Sequence, residues 1–421
     1  MLNAFSVFEK PDMTDSAAAR MQFVVEIARR LHQYGTSAPR LEEAIDAVSA
    51  RLALSCHSLS TPTSILFSFT KRGGAENALA EVTQVIRVAP GADDLRNLAI
   101  VNDIADRVTD GSIDIDEGFR RLGAIRDRPS RLRRVLETLS FGVAAAAVSA
   151  VLEASAADLV AAALIGTLVG IIAVMGESRA RLKPAVEAIC ALIATFLATL
   201  ASVYVTPLHL NSVVLASLIV LFPGLTLTTA VRELSTQHLV SGMARFAGAI
   251  TTLVKLAFGT VVANQLGAML QMVPPPASAP PLDAWAQWTV LVCGCFSFAV
   301  LFRAARRDVL LVAAAAMLGY LITFHAGRAS TPQFGVFLAG LCMAALGNIY
   351  ARYVGRPGSL VRVPGIIMLV PGSVGFKTLS LLAQREMFPG IDMAVSLVAI
   401  LACLVAGLLF GDLLVPSRRI L

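Results

Sequence analysis

Charge is scarce in this 421-residue chain. Asp, Glu, Lys and Arg make up 15% of it, against 56% apolar residues, and the mean hydropathy is +0.72. So little charge excludes an ordinary soluble globule and predicts a bilayer as solvent. The scarcity is uneven. Residues 1–134 hold 18 basic and 18 acidic side chains, residues 135–421 hold 17 and 11, and the whole net charge of +6 lies in the apolar part. No apolar run occupies the first 20 residues, so no secretory leader is predicted and the N-terminal region is expected in the cytoplasm. The six cysteines are scattered. Cys293 and Cys295 form a C-x-C with no His or Cys pair beside it, so cysteine packing is expected, with no metal and no cofactor. Neither G-x-S-x-G nor H-E-x-x-H organises Ser64, His32 or His57, which leaves a membrane-associated hydrolase without a motif. No aromatic residues interleave the cluster Arg126, Arg128, Arg131, Arg133 and Arg134. It reads as a membrane anchor, not a nucleic-acid patch.

The polar part has its own periodicities. Phe23, Val24, Ile27, Ala28 and Leu31 share one face of a helix, and Leu41, Ile45, Val48 and Leu52 share a face of a second. "SILFSFT" alternates, with Ile65, Phe67 and Phe69 on one side, and predicts a strand followed by a turn at "KRGG" (71–74). "EVTQVIRV" (81–88) predicts a partner strand ended by Pro90-Gly91, and helices are expected near 94–108 and 116–126. Residues 1–134 are therefore expected to form a small α+β cytosolic domain.

From 135 onward ten membrane helices are predicted, near 135–152, 157–175, 184–204, 212–232, 243–266, 286–303, 308–326, 333–351, 361–382 and 393–414. Alternate loops test the count. One set carries Arg179, Arg181, Lys183, Arg232, Arg245, Arg303, Arg306, Arg307, Arg352, Arg356, Arg362, Arg418 and Arg419. The other carries Arg328 and Arg385. That bias predicts a multi-pass protein with both termini cytoplasmic. The Pro-rich "VPPPASAPPLDAW" (273–285) becomes an external connection, with Trp285 and Trp288 at the membrane interface. The expected organisation is a cytosolic domain (1–134), a first five-helix half (135–270), an external linker (271–285) and a second half (286–421).

Two of the predicted spans are broken at corresponding places. "LIVLFPGLTLTTAVREL" carries Pro223-Gly224, and "IIMLVPGSVGFKTLSLL" carries Pro371-Gly372, 148 residues later. Each pair falls in the fourth span of its half. Five spans is an odd number, so the second half enters the bilayer from the opposite side. The fold class expected is thus a polytopic α-helical membrane protein with a 5+5 inverted repeat, an architecture of secondary transporters. Proline removes an N–H and glycine frees the backbone, and unpaired backbone groups at membrane depth are tolerated only inside protein or against a wet cavity. A half-helix starting after each break would turn its positive end towards a carboxylate. Candidate substrate contacts are Pro223, Gly224, Thr226, Thr228, Thr229, Lys255, Pro371, Gly372, Ser373 and Lys377. Lys255 and Lys377 are included because a charge at bilayer depth usually faces an interior. Glu187, Glu233 and Asp412 are the candidates for carrying a proton. Asn264 and Asn348 read as polar contacts between helices.

An ordered set of motifs resembles the bacterial threonine/serine exporter family over nearly the whole chain. They are "YGTSAPRLEEAIDAVSARLAL" with its Arg40-x-Glu42, the Thr61-Pro62-Thr63 strand start, "FPGLTLTTAVREL" with "SGMARF", and "RVPGIIMLVPGSVGF". Members usually carry Asp after the Arg of the fourth-span motif; this chain has Glu233. The resemblance implies a fused form of the exporter in the bacterial inner membrane that antiports protons against threonine and serine. Split-subunit relatives imply a dicarboxylate such as succinate as the alternative substrate. Expected partners are the small-molecule substrate, protons and the lipid bilayer, with no nucleic acid. A homo-oligomer is compatible with the sequence, which does not determine the state.

Overall fold

The computed structural model describes residues 17–70, 82–89, 91, 93–125, 130–177, 179, 181–277, 279–369 and 372–416. These divide into two compact units. In the first, α1 (Ala17–Gln33) buries Phe23, Val24, Ile27, Ala28 and Leu31, the face its spacing predicts. Gly35, at φ +91°, reverses the chain while the Thr36 N–H returns to the Leu31 carbonyl at 3.1 Å, capping the helix end. Pro39 then sits in the first turn of α2 (Ala38–Arg51), where its missing N–H costs nothing. Leu41, Ile45 and Val48 of α2 join the same core.

Strands β1 (Ser55–Thr61), β2 (Ser64–Thr70) and β3 (Val82–Arg87) form an antiparallel sheet in that order. Ile65, Phe67 and Phe69 of β2 are fully buried, as the alternation predicts. The sequence reading lacks β1, "SCHSLST", whose polar composition hides a strand. Its buried Cys56 and Ser60 face inward, and pairing to β2 decides its conformation. Thr61-Pro62-Thr63 is therefore the turn between β1 and β2. It is held from three directions. Thr61 Oγ1 accepts from the Ser64 N–H at 3.1 Å, His32 Nε2 donates to the Pro62 carbonyl at 3.0 Å, and Glu42 accepts from the Ser60 N–H at 2.7 Å. Glu42 of the Arg40-x-Glu42 motif thus ties α2 to β1. Helices α3 (Leu95–Thr109) and α4 (Ile115–Gly123) complete the unit, α4 being N-capped by Asp114, which accepts from the Glu117 N–H at 2.7 Å. The "KRGG" turn, Pro90, Arg126 and Arg128 lie outside the described residues.

The second unit is helical. Its elements are α5 (Arg131–Val151), α6 (Ala156–Glu177), α7 (Val186–Tyr204), α8 (Leu210–Ser217), α9 (Gly224–Ser235), α10 (Leu239–Met269), α11 (Ala284–Leu301), α12 (Val309–Ala329), α13 (Pro332–Val354), α14 (Ser359–Ile367), α15 (Gly372–Ala383) and α16 (Met387–Leu414). Among the described residues nine helices are long and apolar enough to cross a membrane. A tenth crossing results if α8 and the segment ending in α9, bent by 52°, form one span. Hydrophobic burial does not drive helix association in lipid, so close contact between small residues takes its place. Gly142 of α5 lies against Thr167 and the Ala163 carbonyl of α6, and Gly294 of α11 against Ala147 of α5.

The same local geometry recurs along this unit at nearly constant spacing. After α9, Gln237 takes φ +65°, with Gln237 N–H bonded to Leu234 O and His238 N–H to Glu233 O. After α15, Arg385 takes φ +65°, with Arg385 N–H bonded to Leu382 O and Glu386 N–H to Leu381 O. Gly242 then packs on Leu234, and Gly390 on Leu382. Gly259 meets Ala188 O and Leu192 N, and Gly407 meets Phe337 O and Leu341 N. Each of the later residues in α15 and α16 follows its counterpart by 148 positions, and those in α13 by 149.

Candidate functional site

The first break forms as its residues require. Past α8 the chain makes one 3₁₀ turn (Ile219–Leu221), Phe222 is extended (φ −68°, ψ 128°), and Pro223 precedes α9 with no side-chain cap on the new helix. Proline cannot donate to the preceding turn, so the helix stops there, and α9 begins without a side-chain cap, its Gly224 N–H donating to the Phe222 carbonyl at 2.8 Å. In the second broken span α14 ends at Ile367 and α15 begins at Gly372; Pro371 lies outside the described residues.

The two breaks touch. A Cβ added to Gly372 would stand 2.8 Å from Phe222 Cβ and 3.2 Å from both N and Cα of Gly224. The rings of Phe222 and Phe376 stack with centroids 5.0 Å apart, and Gly375 lies on Leu253 of α10. The first turns of two 12-residue helices, α9 and α15, therefore meet at one point. Each brings the positive end of its dipole, which favours an anion. Thr228 is buried and donates to the Gly224 carbonyl at 3.0 Å, so its hydroxyl serves its own helix. Thr226, Thr229 and Ser373 are half-buried at the same helix starts.

The charged candidates separate into three arrangements. Lys255 and Glu187, read independently from the sequence, form a pair at 3.6 Å between α10 and α7. Lys255 lies two residues from Leu253, so it leaves α10 on roughly the opposite side from the contact with Gly375. Lys377 is exposed on α15 and has no ion pair among the described residues. Glu233 is completely buried, accepts from Ser241 Oγ at 2.8 Å and pairs with Arg245 at 3.2 Å, both on α10.

Asp412, near the end of α16, is the centre of the third arrangement. Arg232 of α9 reaches it at 2.6 Å, Arg362 of α14 at 2.5 Å, and Asn348 Nδ2 of α13 donates to it at 2.8 Å. Arg362 also donates to Asn348 Oδ1 at 2.8 Å. Counting Arg362, Arg232 and Arg245 as loop charges is thus corrected. Arg362 is buried in α14, Arg232 and Arg245 stand in α9 and α10, and each is held by an internal carboxylate. The available signal was local: Arg362 is flanked by Leu360, Val361 and Val363. Two further pairs were not anticipated. Buried Asp158 of α6 holds His209, accepting from its backbone N–H and pairing with its ring, both at 2.8 Å. Arg303, just past α11, donates to buried Glu137 of α5 at 3.0 Å. Outside the spans, the hydrogen bonds to Asp308 hold the Arg356 guanidinium above its ordinary pKa. No group of three or more His, Cys, Asp or Glu suited to a metal occurs among the described residues.

Two family models match the chain. One, described as "Putative threonine/serine exporter", covers residues 22–267, and the other, "Threonine/Serine exporter, ThrE", covers 287–414. Similar proteins include the "Pheromone-regulated membrane protein 10" of three yeasts. The Zygosaccharomyces rouxii protein is 23% identical over 90% of this chain and 38% of its own length. That of Saccharomyces cerevisiae is 25% identical over 90% and 49%. That of Candida albicans is 25% identical over 85% and 33%. The chain thus spans between about a third and a half of these relatives. No solved structure gives a significant match.

Proposed function

The chain belongs to the threonine/serine exporter family, a membrane transporter family, and from that premise we propose that it exports threonine and serine from the cytoplasm by proton antiport with alternating access. The substrate carboxylate binds where α9 and α15 begin, with the hydroxyls of Thr226, Thr229 and Ser373 at hand for the side chain and ammonium group. The observation that carries this reading is the contact of Gly372 with Gly224 and Phe222, which joins two helix N-termini far apart in sequence. The recurring turns and glycine contacts at 148–149 residues support two related halves, and counting α8 and α9 as one span, which makes five in each half, supports an inverted arrangement. Glu187, Glu233 and Asp412 remain the proton carriers to be separated. The membrane is a cytoplasmic one, with both termini on the cytoplasmic side.

The test is export from cells fed threonine dipeptides, following threonine, serine and succinate inside and outside with the chain present or absent. Faster loss of threonine or serine only with the chain present is expected. Movement of succinate alone would keep the crossing as a carboxylate site and replace the substrate with a dicarboxylate. No movement of any of the three would sink the exporter reading.

A further inference from the structure

The two sides of α15 differ in chemistry. One side is packed: Gly375 lies on Leu253 of α10, Phe376 is buried in the core around Leu253 and Leu256, and Leu382 lies on Gly390 of α16. Ser373, Lys377, Ser380 and Gln384 fall on another side, within about 60° of one another at 100° per residue. Each is one helical turn from the next, and each is polar. Ser373 and Ser380 are half-buried, and Lys377 and Gln384 are exposed. Gln384 Nε2 donates to Ser380 Oγ at 3.0 Å, along the stripe. From Ser373, at the break, to Gln384, just past the helix, the stripe climbs about 16 Å, half of a hydrocarbon core.

Lipid does not account for such a side. The helix that follows, α16, shows what faces lipid here: Phe388, Ile391, Val395 and Val398 are exposed and apolar, and its one exposed charge, Asp392, stands in the second turn. A lysine in a row of neutral polar groups at bilayer depth is placed against protein or water. The packed side of α15 lies elsewhere, so water is the neighbour. Positions 148 earlier on α9 are polar too: Thr229, Arg232 and Thr236 stand where the α15 stripe has Lys377, Ser380 and Gln384. Both helices begin at the crossing of the breaks, so the two stripes meet there. In the inverted arrangement they leave it in opposite directions, α9 towards the cytoplasm and α15 towards the outside.

We propose that the polar side of α15 lines the outward half of the substrate path, and that Lys377 on it is a second binding station for the substrate carboxylate. The inference rests on the exporter reading and deepens it. Lys377 lies five residues past Gly372, about 7 Å along the helix from the crossing. The stripe holds one cation and no acid, so it attracts a carboxylate leaving the two helix starts and repels a cationic solute. The flexible stem of a lysine lets its ammonium group follow the carboxylate outward. Ser373 and Ser380, one turn to either side, offer hydroxyls to the ammonium and hydroxyl groups of an amino acid. Passage needs each station to hold the substrate well enough to receive it and weakly enough to release it, and one exposed lysine beside water meets both conditions.

The experiment uses the full chain in cells, its six cysteines replaced by serine and one cysteine returned as V374C, S380C, L381C or Q384C. A charged, membrane-impermeant methanethiosulfonate is added from outside, and the labelling rate is read on the protein. S380C and Q384C should react at least about tenfold faster than V374C and L381C, which lie beside the stripe. Threonine should slow labelling of S380C at least about threefold, and threoninamide, which lacks the carboxylate, should not. K377Q should abolish that protection and leave S380C reactive. Equal rates at the four positions overturn the path. Protection that survives in K377Q, or that threoninamide gives as well as threonine, overturns the station. Should K377Q fail to accumulate, K377R decides: it keeps the cation, and loss of protection there overturns the station. Protection by succinate and not by threonine keeps the station and counts against the threonine and serine reading. Threonine export with S380C reactive and unprotected keeps that reading and overturns the station.

Discussion

Gly242 and Gly390 stand at the start of α10 and α16, each against a leucine eight residues earlier. Gly259 and Gly407 stand further along the same two helices, each against the backbone of a neighbouring helix. The stretches 131–269 and 284–414 are in this respect built alike. Their charges are not. Lys255 pairs with Glu187 in the first stretch, and the residue 148 positions after Lys255 is Cys403. Asp412 holds two arginines at the end of the second, and the residue 148 positions before it is Asn264. The difference separates two roles. Small residues set how closely helices approach in lipid, and any repeat of the fold must keep them. Charges are costly there and survive where each has a partner, so they mark what one stretch does that the other does not.

The comparison can be broken most severely at the place where α9 and α15 begin against one another. Gly372→Val would drive a side chain into Phe222 and Gly224, and threonine export should fall at least about tenfold with expression retained. Export at half the normal rate or better would show that the crossing of the breaks is not where substrate passes. Gly259→Ala and Gly407→Ala each bring a Cβ within 2.2 Å of a backbone oxygen, and each should cost about 1–3 kcal/mol in thermal unfolding in detergent. Gly267→Ala, whose nearest contact is 3.6 Å, should be nearly silent. If one of the first two is also silent, the two contacts are not equivalent.

A smaller effect is expected at Lys255. K255M should cost about 1 kcal/mol by stranding Glu187, and the exchanged pair K255E with E187K should recover the loss. Recovery of stability without recovery of export would mean that Lys255 meets the substrate as well as Glu187. The smallest effects belong to the α1–α4 unit, where charges pair along helices in water. Burial pushes the Asp106 carboxyl up, despite Arg51 nearby. Its native form therefore binds a proton more readily than its unfolded form. The stability it withholds at neutral pH returns as pH falls through the raised value towards the unfolded one. D106N should thus stabilise the unit at pH 7 by no more than about 0.5 kcal/mol, and the gain should vanish in acid. Glu117 has the opposite sign. Its hydrogen bond from Arg121 lowers its pKa, so it contributes stability above the ordinary carboxylate range, which disappears as pH falls through the lowered value. Denaturant titrations at several pH values distinguish the two.

Much of the fold was legible because its causes are local. Long apolar runs make spans whatever they pack against, and Pro223-Gly224 breaks its helix through a missing N–H and a freed backbone. The alternation of Ile65, Phe67 and Phe69 marks β2 for the same reason. Partner-dependent features were not legible. Strand β1 follows from the seven-residue register with β2, which its Ser and His residues do not announce. Arg362 read as a loop charge because positive residues at helix ends usually are, and its burial is accompanied by distant partners, Asp412 50 positions away and Asn348 14 away.

The sequence by itself determined that the chain lies in a membrane, where its helices break, and to which family it belongs. These follow from hydropathy, from proline and glycine chemistry, and from ordered motifs. Only the tertiary structure decided that the two breaks touch, that Lys255 and Glu187 are partners, and that Asp412 holds Arg232 and Arg362 at once. Each is a contact between residues dozens to hundreds of positions apart. Chain folding brings them together, and a buried charge is stable only when its partner arrives.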